Sequence, residues 1–79
     1  MMEVIVLGSG CAKCTKTAEL IETVTRDVGV EVSVRKETDP EAIMNYGIMS
    51  TPGVVVDGEV KHSGSMPIRA QIEAWLRPA

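Results

Sequence analysis

Cys11 and Cys14 are the only two cysteines in this 79-residue chain, and they stand as Gly10-Cys11-Ala12-Lys13-Cys14 between an apolar run, Val4-Ile5-Val6-Leu7, and an amphipathic helical pattern. Two thiols three positions apart at a helix start have Cα atoms about 5 Å apart, inside the roughly 4.4–6.8 Å window that a disulfide requires. Such a pair can close and reopen without dragging the backbone. The thiolate is the nucleophile, and an ordinary cysteine with a pKa of about 8.5 is mostly protonated at neutral pH. At Cys11 the unsatisfied N–H groups and the positive end of the helix dipole favour the anion. Lys13 and Lys16 add positive charge close by, which makes Lys13 a candidate for tuning the thiolate. Cys14, about one turn further in, is expected to be more buried and suited to resolve a mixed disulfide formed at Cys11.

The same residues admit other chemistry. Thiolate pairs bind Cu(I) and Zn, so a soft-metal binding or delivery module is one alternative. A closed tetrahedral zinc site needs four ligands, and His62 is the only histidine to join the two cysteines. A non-catalytic redox sensor would use the same dithiol as a switch. A structural staple would close a loop too short to stabilise much. Phosphate-binding readings fail on spacing. Gly8-Ser9-Gly10-Cys11-Ala12-Lys13 lacks the third glycine of a dinucleotide fingerprint and the Gly-Lys-Ser/Thr ending of a P-loop.

Size and composition narrow the class. A chain of this length is expected to be one domain, residues 1–79, with a thin core, since a domain near this size buries only about 60% of its unfolded surface. Hydrophobic residues make up 44% and charged residues 24%, ordinary globular values; with no Phe and only Tyr46 and Trp75 as aromatics, the core must be aliphatic. A net charge of −3 without a cluster of Lys and Arg argues against nucleic acid as a partner. The longest apolar run, Val4 to Leu7, is far short of the roughly 18 residues of a membrane span, and no start reads as a signal peptide. A cytoplasmic location and a monomer are the expectation. In that reducing compartment a close cysteine pair is expected to be catalytic, redox-sensing or metal-binding rather than a staple.

The elements that must hold the pair follow from periodicity. Glu3 to Leu7 reads as a strand buried on both faces and therefore central, ended by Gly8-Ser9-Gly10. From Ala12 to Val28 apolar residues recur at three- and four-residue steps, predicting a helix stopped at Gly29. Val30 to Arg35 alternates with period two, as in a strand at or near an edge. Asp39 and Pro40 supply an N-cap and a first helical residue for a short helix, Pro40 to Tyr46. Val54-Val55-Val56, Asp57-Gly58 and Val60-Lys61-His62 form a hairpin pattern with a type I′ turn. Ser65 is read as the cap of a last helix, with Pro67 near its first turn, a stripe of Ile68, Ile72, Trp75 and Leu76, and Pro78 near its stop. Met44, Ile48, Met49 and Met66 read as core filler rather than as an apolar rim to the dithiol. His62 reads as a solvated strand residue. The order is β-α-β-α-β-β-α, an α/β fold with a mixed four-stranded sheet flanked by three helices.

At this point the chain resembles the thioredoxin and glutaredoxin family in its minimal form, and more narrowly the small archaeal and bacterial thioredoxin-like redox-active disulfide proteins. Two segments carry the resemblance: the strand-Gly8-Ser9-Gly10-Cys11-Ala12-Lys13-Cys14-helix unit, and Tyr46 to Glu59, which looks like the family's segment around its cis-proline with the hairpin included. The resemblance implies a thioredoxin-like fold and a Cys11–Cys14 redox-active disulfide, with Cys11 attacking and Cys14 resolving. It further implies a cis Pro52 beside the dithiol and Thr51 offering its backbone to a substrate strand. The partners implied are disulfide-containing proteins and a reductase, with neither metal nor other cofactor. This chain departs from the family between its cysteines, where Ala12 and Lys13 replace the Gly-Pro of thioredoxins and the Pro-Tyr of glutaredoxins, and no aromatic precedes Cys11. The segment Gly64-Ser65-Met66-Pro67 lacks the acidic pair with which glutaredoxins hold glutathione, and Glu3 lies too early to match the buried carboxylate of thioredoxins. Small heavy-metal domains, the nearest rival, end on a strand, whereas this chain ends on a helical pattern.

Overall fold

Val4, Ile5, Val6 and Leu7 have no polar side to turn to water, and the chain buries both of their faces. In the computed structural model, which describes residues 2–8, 12–48 and 50–76, they form most of β1 (Met2–Leu7). The remaining elements are α1 (Ala12–Val28), β2 (Val32–Glu37), α2 (Pro40–Asn45), β3 (Gly53–Val56), β4 (Glu59–Ser63) and α3 (Arg69–Leu76), in the order the sequence predicts. The sheet runs β2-β1-β3-β4, with β1 parallel to β2 and antiparallel to β3, and β3 antiparallel to β4.

Because successive strand side chains point to opposite faces, β1 supplies two cores. Val4 and Val6 pack with Ala18, Ile21 and Val24 of α1, Val54 and Val56 of β3, and Ile72 and Leu76 of α3. Ile5 and Leu7, with Val55, pack on Ile43 of α2 and on Ile48. Each fully buried Val, Leu or Ile among them contributes about 1.5–3 kcal/mol relative to exposure. The mixed sheet therefore carries α1 and α3 on one face and α2 on the other.

Local chemistry sets the boundaries. The Gly29 and Val30 N–H groups both donate to the Thr25 carbonyl, at 3.0 and 3.2 Å, with Gly29 in the left-handed region, which closes α1 at the expected residue. That cap occupies Val30, so β2 starts at Val32, opposite Met2, two residues later than the alternation predicts. Asp39 accepts from the Glu41 N–H at 3.0 Å and caps α2, with Pro40 as its first residue. α2 stops at Asn45, with Tyr46 as its C-cap rather than its last residue. In the hairpin Asp57 (φ 49°) and Gly58 (φ 85°) both adopt the left-handed backbone of a type I′ turn. A bulge follows, since Val54 pairs with His62 while Val55 pairs with Val60.

Further expectations need correction. Ser65 does not cap α3. Its hydroxyl lies 3.0 Å from His62 Nε2, and the helix instead starts at Arg69, where Gln71 at the third position accepts from the Ile68 N–H at 3.0 Å, one half of a capping box. Ile68 is 63% exposed, because a residue ahead of the first turn is not directed by the helical stripe. Of the proposed core fillers, Ile48 is buried, but Met44 is 73% exposed and Met66 37% exposed. α2 rests on the sheet through Ile43 alone, and Met44, one residue round the helix, turns away. Met49 lies outside the described residues. Finally, His62 is half-buried rather than solvated, with its ring 5.9 Å from that of Trp75.

Candidate active site

Strand pairing brings the two segments that carry chemistry together. Leu7 of β1 is paired with Gly53 of β3, so Gly8, which follows one, and Pro52, which precedes the other, meet at the same end of the sheet. Gly8 prolongs the β1–β2 ladder by one bond, its N–H donating to the Glu37 carbonyl at 2.9 Å. Cys14, on the first turn of α1, is 2% exposed. Its Sγ lies against the Gly8 main chain: a Cβ at Gly8 would overlap that sulfur, press on Cys14 Cβ at 3.1 Å and meet Thr51 Cβ at 3.8 Å.

The Thr51–Pro52 peptide bond is cis. Pro52 is buried and Thr51 exposed, so the pair puts an apolar ring inward and keeps its polar neighbour at the surface. The Pro52 carbonyl accepts from the Gly64 N–H at 3.1 Å, which fixes the turn after β4 beside Ser50 and Pro52. Cys11 lies outside the described residues, as do Ser9 and Gly10. Lys13 and Lys16 are both exposed on α1, and the first turn of that helix carries no acidic residue to oppose an anion. Thr17, fully buried, has its hydroxyl satisfied by donating to the Lys13 carbonyl at 2.7 Å.

Among the described residues, the one clear electrostatic perturbation belongs elsewhere. Arg69 on α3 is held above the usual guanidinium range by its hydrogen bond to Asp27 at 2.9 Å and a second to Glu73 at 2.8 Å. Asp27 lies in the last turn of α1, at the far end of that helix from Cys14, so this network joins α1 to α3 and takes no part in the sulfur chemistry.

Cys14, Thr51 and Pro52, singled out from sequence, are thus neighbours in space, and Lys13 shares the first turn of α1 with Cys14. Two contributors escaped the sequence reading. Gly8 has no role toward Cys14 in that reading, although a glycine two residues from a second one, just ahead of a cysteine, is a sign of close approach. Gly64 was read only as a departure from the glutaredoxin pattern.

Residues 2–77 match the family model of a thioredoxin domain. The chain is 28% identical over 76 residues to a protein named thioredoxin from Methanothermobacter thermautotrophicus, covering 96% of this chain and 99% of that protein. A protein of the same name from Methanocaldococcus jannaschii is 29% identical over 77 residues, covering 98% and 88%. A second one from that organism is 31% identical over 67 residues, covering 81% and 79%. Among the described residues no helix is long and apolar enough to cross a membrane. With its sheet, its three helices and its cis-proline in this order, the chain belongs to the thioredoxin domain family, as a dithiol–disulfide oxidoreductase of the thioredoxin type.

Proposed function

We propose that this protein reduces or exchanges disulfides in partner proteins through Cys11 and Cys14. The Cys11 thiolate attacks one sulfur of a partner disulfide; a Cys11–partner S–S bond forms, the partner's own S–S bond breaks, and its first sulfur leaves as a thiolate. The Cys14 thiolate then attacks Cys11 Sγ, the mixed disulfide breaks, and the partner's second sulfur leaves. The partner has gained two electrons, and a dithiol-bearing reductase returns them to the Cys11–Cys14 disulfide. Thr51 and Pro52 position the partner chain, and Lys13 favours the thiolate of Cys11. A cytoplasmic setting, which keeps thiols reduced, suits that cycle.

The observation that carries this reading is the seat of Cys14. Its sulfur is buried at the end of the central strand, beside the Thr51–Pro52 segment, where a partner protein cannot reach it directly. A sulfur so enclosed suits the resolving step, which is intramolecular. The test uses a labelled protein disulfide as substrate: Cys14→Ser should accumulate a mixed disulfide through Cys11, and Cys11→Ser should form none. If Cys14→Ser traps nothing, the assignment of roles is wrong.

A further inference from the structure

We infer that Gly8 is a positioning residue for the resolving step: its missing side chain forms the seat of Cys14 Sγ and keeps that sulfur aligned for attack on the mixed disulfide. The inference rests on the reading of Cys14 as the resolving cysteine. Glycine is not needed here for its backbone freedom, since Gly8 is not among the left-handed residues, Gly29, Gly47, Gly58 and Gly64. What requires it is space. A Cβ at this position would overlap Cys14 Sγ and crowd Cys14 Cβ at 3.1 Å, closer than side chains ordinarily pack.

Neither side of that contact can retreat cheaply. The Gly8 main chain is tied by its N–H to the Glu37 carbonyl at 2.9 Å, and it follows directly on Leu7, which is fully buried and paired with Gly53. Cys14 belongs to α1, whose buried residues Ala18 and Ile21 pack against Val4 and Val6 of the sheet. Thr51 closes a third side, since the same Cβ would lie 3.8 Å from Thr51 Cβ. A methyl group at position 8 would therefore turn the Cys14 sulfur to another rotamer or lift the first turn of α1. Thiol–disulfide exchange needs the incoming thiolate close to the sulfur it attacks, roughly in line with the bond that breaks. A displacement of about 1 Å in a reacting group costs on the order of a hundredfold in rate. Attack by Cys11 on a partner does not use the Cys14 sulfur, so the first step should be spared.

The experiment compares wild type, Gly8→Ala, Cys14→Ala and Gly8→Ala/Cys14→Ala. Cys11 reactivity is read by alkylation with iodoacetamide, and resolution by the release of the second thiol from a preformed mixed disulfide at Cys11. Gly8→Ala should alkylate within about twofold of wild type yet release the second thiol at least about tenfold more slowly. Its loss of stability in denaturant, measured with thiols reduced, should shrink once Cys14→Ala has removed the sulfur, leaving only the milder crowding of the Cβ at position 14. Resolution at the wild-type rate overturns the inference, as does an equal loss of stability with and without the sulfur. If Gly8→Ala fails to fold, recovery of folding in the double variant upholds the seat and continued failure overturns it. The reading of Cys14 itself fails separately, through absence of a trapped intermediate in Cys14→Ser.

Discussion

At Lys13 the sequence and the structure together give one argument about charge. The residue is exposed on the first turn of α1, and no carboxylate shares that turn to cancel it. An exposed pairing of a positive charge with a forming thiolate is worth about 0.3–1 kcal/mol at low salt, and screening removes most of it by about 1 M. Lys13→Ala should therefore slow alkylation of Cys11 at neutral pH by roughly two- to fivefold in dilute buffer, with the difference shrinking as salt is added. A rate unchanged in dilute buffer removes Lys13 from the site. At this scale the sequence was legible where position along a helix decides burial: Cys14, expected to lie inward on the first turn of α1, is 2% exposed. Gly8 was not legible, because its role lies in contact with a sulfur six positions away, and only strand and helix packed together create that contact.

Elements were legible where one residue dictates one geometry. Asp39-Pro40 starts α2 and Gly29 stops α1 where expected, because caps satisfy backbone groups that the helix leaves open. The Asp57-Gly58 turn has both central residues left-handed, as its type demands, and Asp57 also binds the start of β1: its Oδ1 accepts from the Glu3 N–H and its N–H donates to the Glu3 carbonyl, both at 2.8 Å. Apart from its own chain neighbours, no atom of the described residues would lie within 4 Å of a Cβ at Gly58, so a side chain there meets chiefly backbone strain. Gly58→Ala should lower stability in denaturant by about 1–2 kcal/mol, the cost of a left-handed alanine. Because the turn lies at the Glu3 end of β1 rather than the Gly8 end, disulfide exchange by the folded variant should match wild type. Ser65 illustrates the opposite case. Its type suits a cap, but His62 on the hairpin claims its hydroxyl and Gln71 takes over the helix start, a competition between partners that no local pattern contains.

Across the whole molecule the two faces of the sheet are unequal. α1 and α3 bring Ala18, Ile21, Val24, Ile72 and Leu76 to one face, whereas α2, six residues long, has Ile43 as its one buried side chain. A six-residue helix has little stability of its own, so α2 holds its shape through Ile43, its cap and Ile48 behind it. Net stability for a chain of this length is roughly 4–12 kcal/mol, and segments with few buried contacts open below that global value. Ile43→Ala should cost about 2 kcal/mol, at the low end for a buried isoleucine since the site lies at the edge of the core. Its signature should be regional. Amides of residues 41–47 should exchange much faster in the variant, while those of β1 and β3, between the two layers, hold close to their wild-type rates apart from the global loss. That region matters to the chemistry, because Ile48 packs with Leu7 at the Gly8 end of β1 and leads into Thr51 and Pro52. Loosening α2 should therefore weaken partner binding through Thr51–Pro52, raising the KM for a protein disulfide while leaving alkylation of Cys11 unaltered. Equal acceleration of exchange in all strands would mean that both faces open as one unit, and the link between α2 and the segment proposed to position the partner would be lost with it.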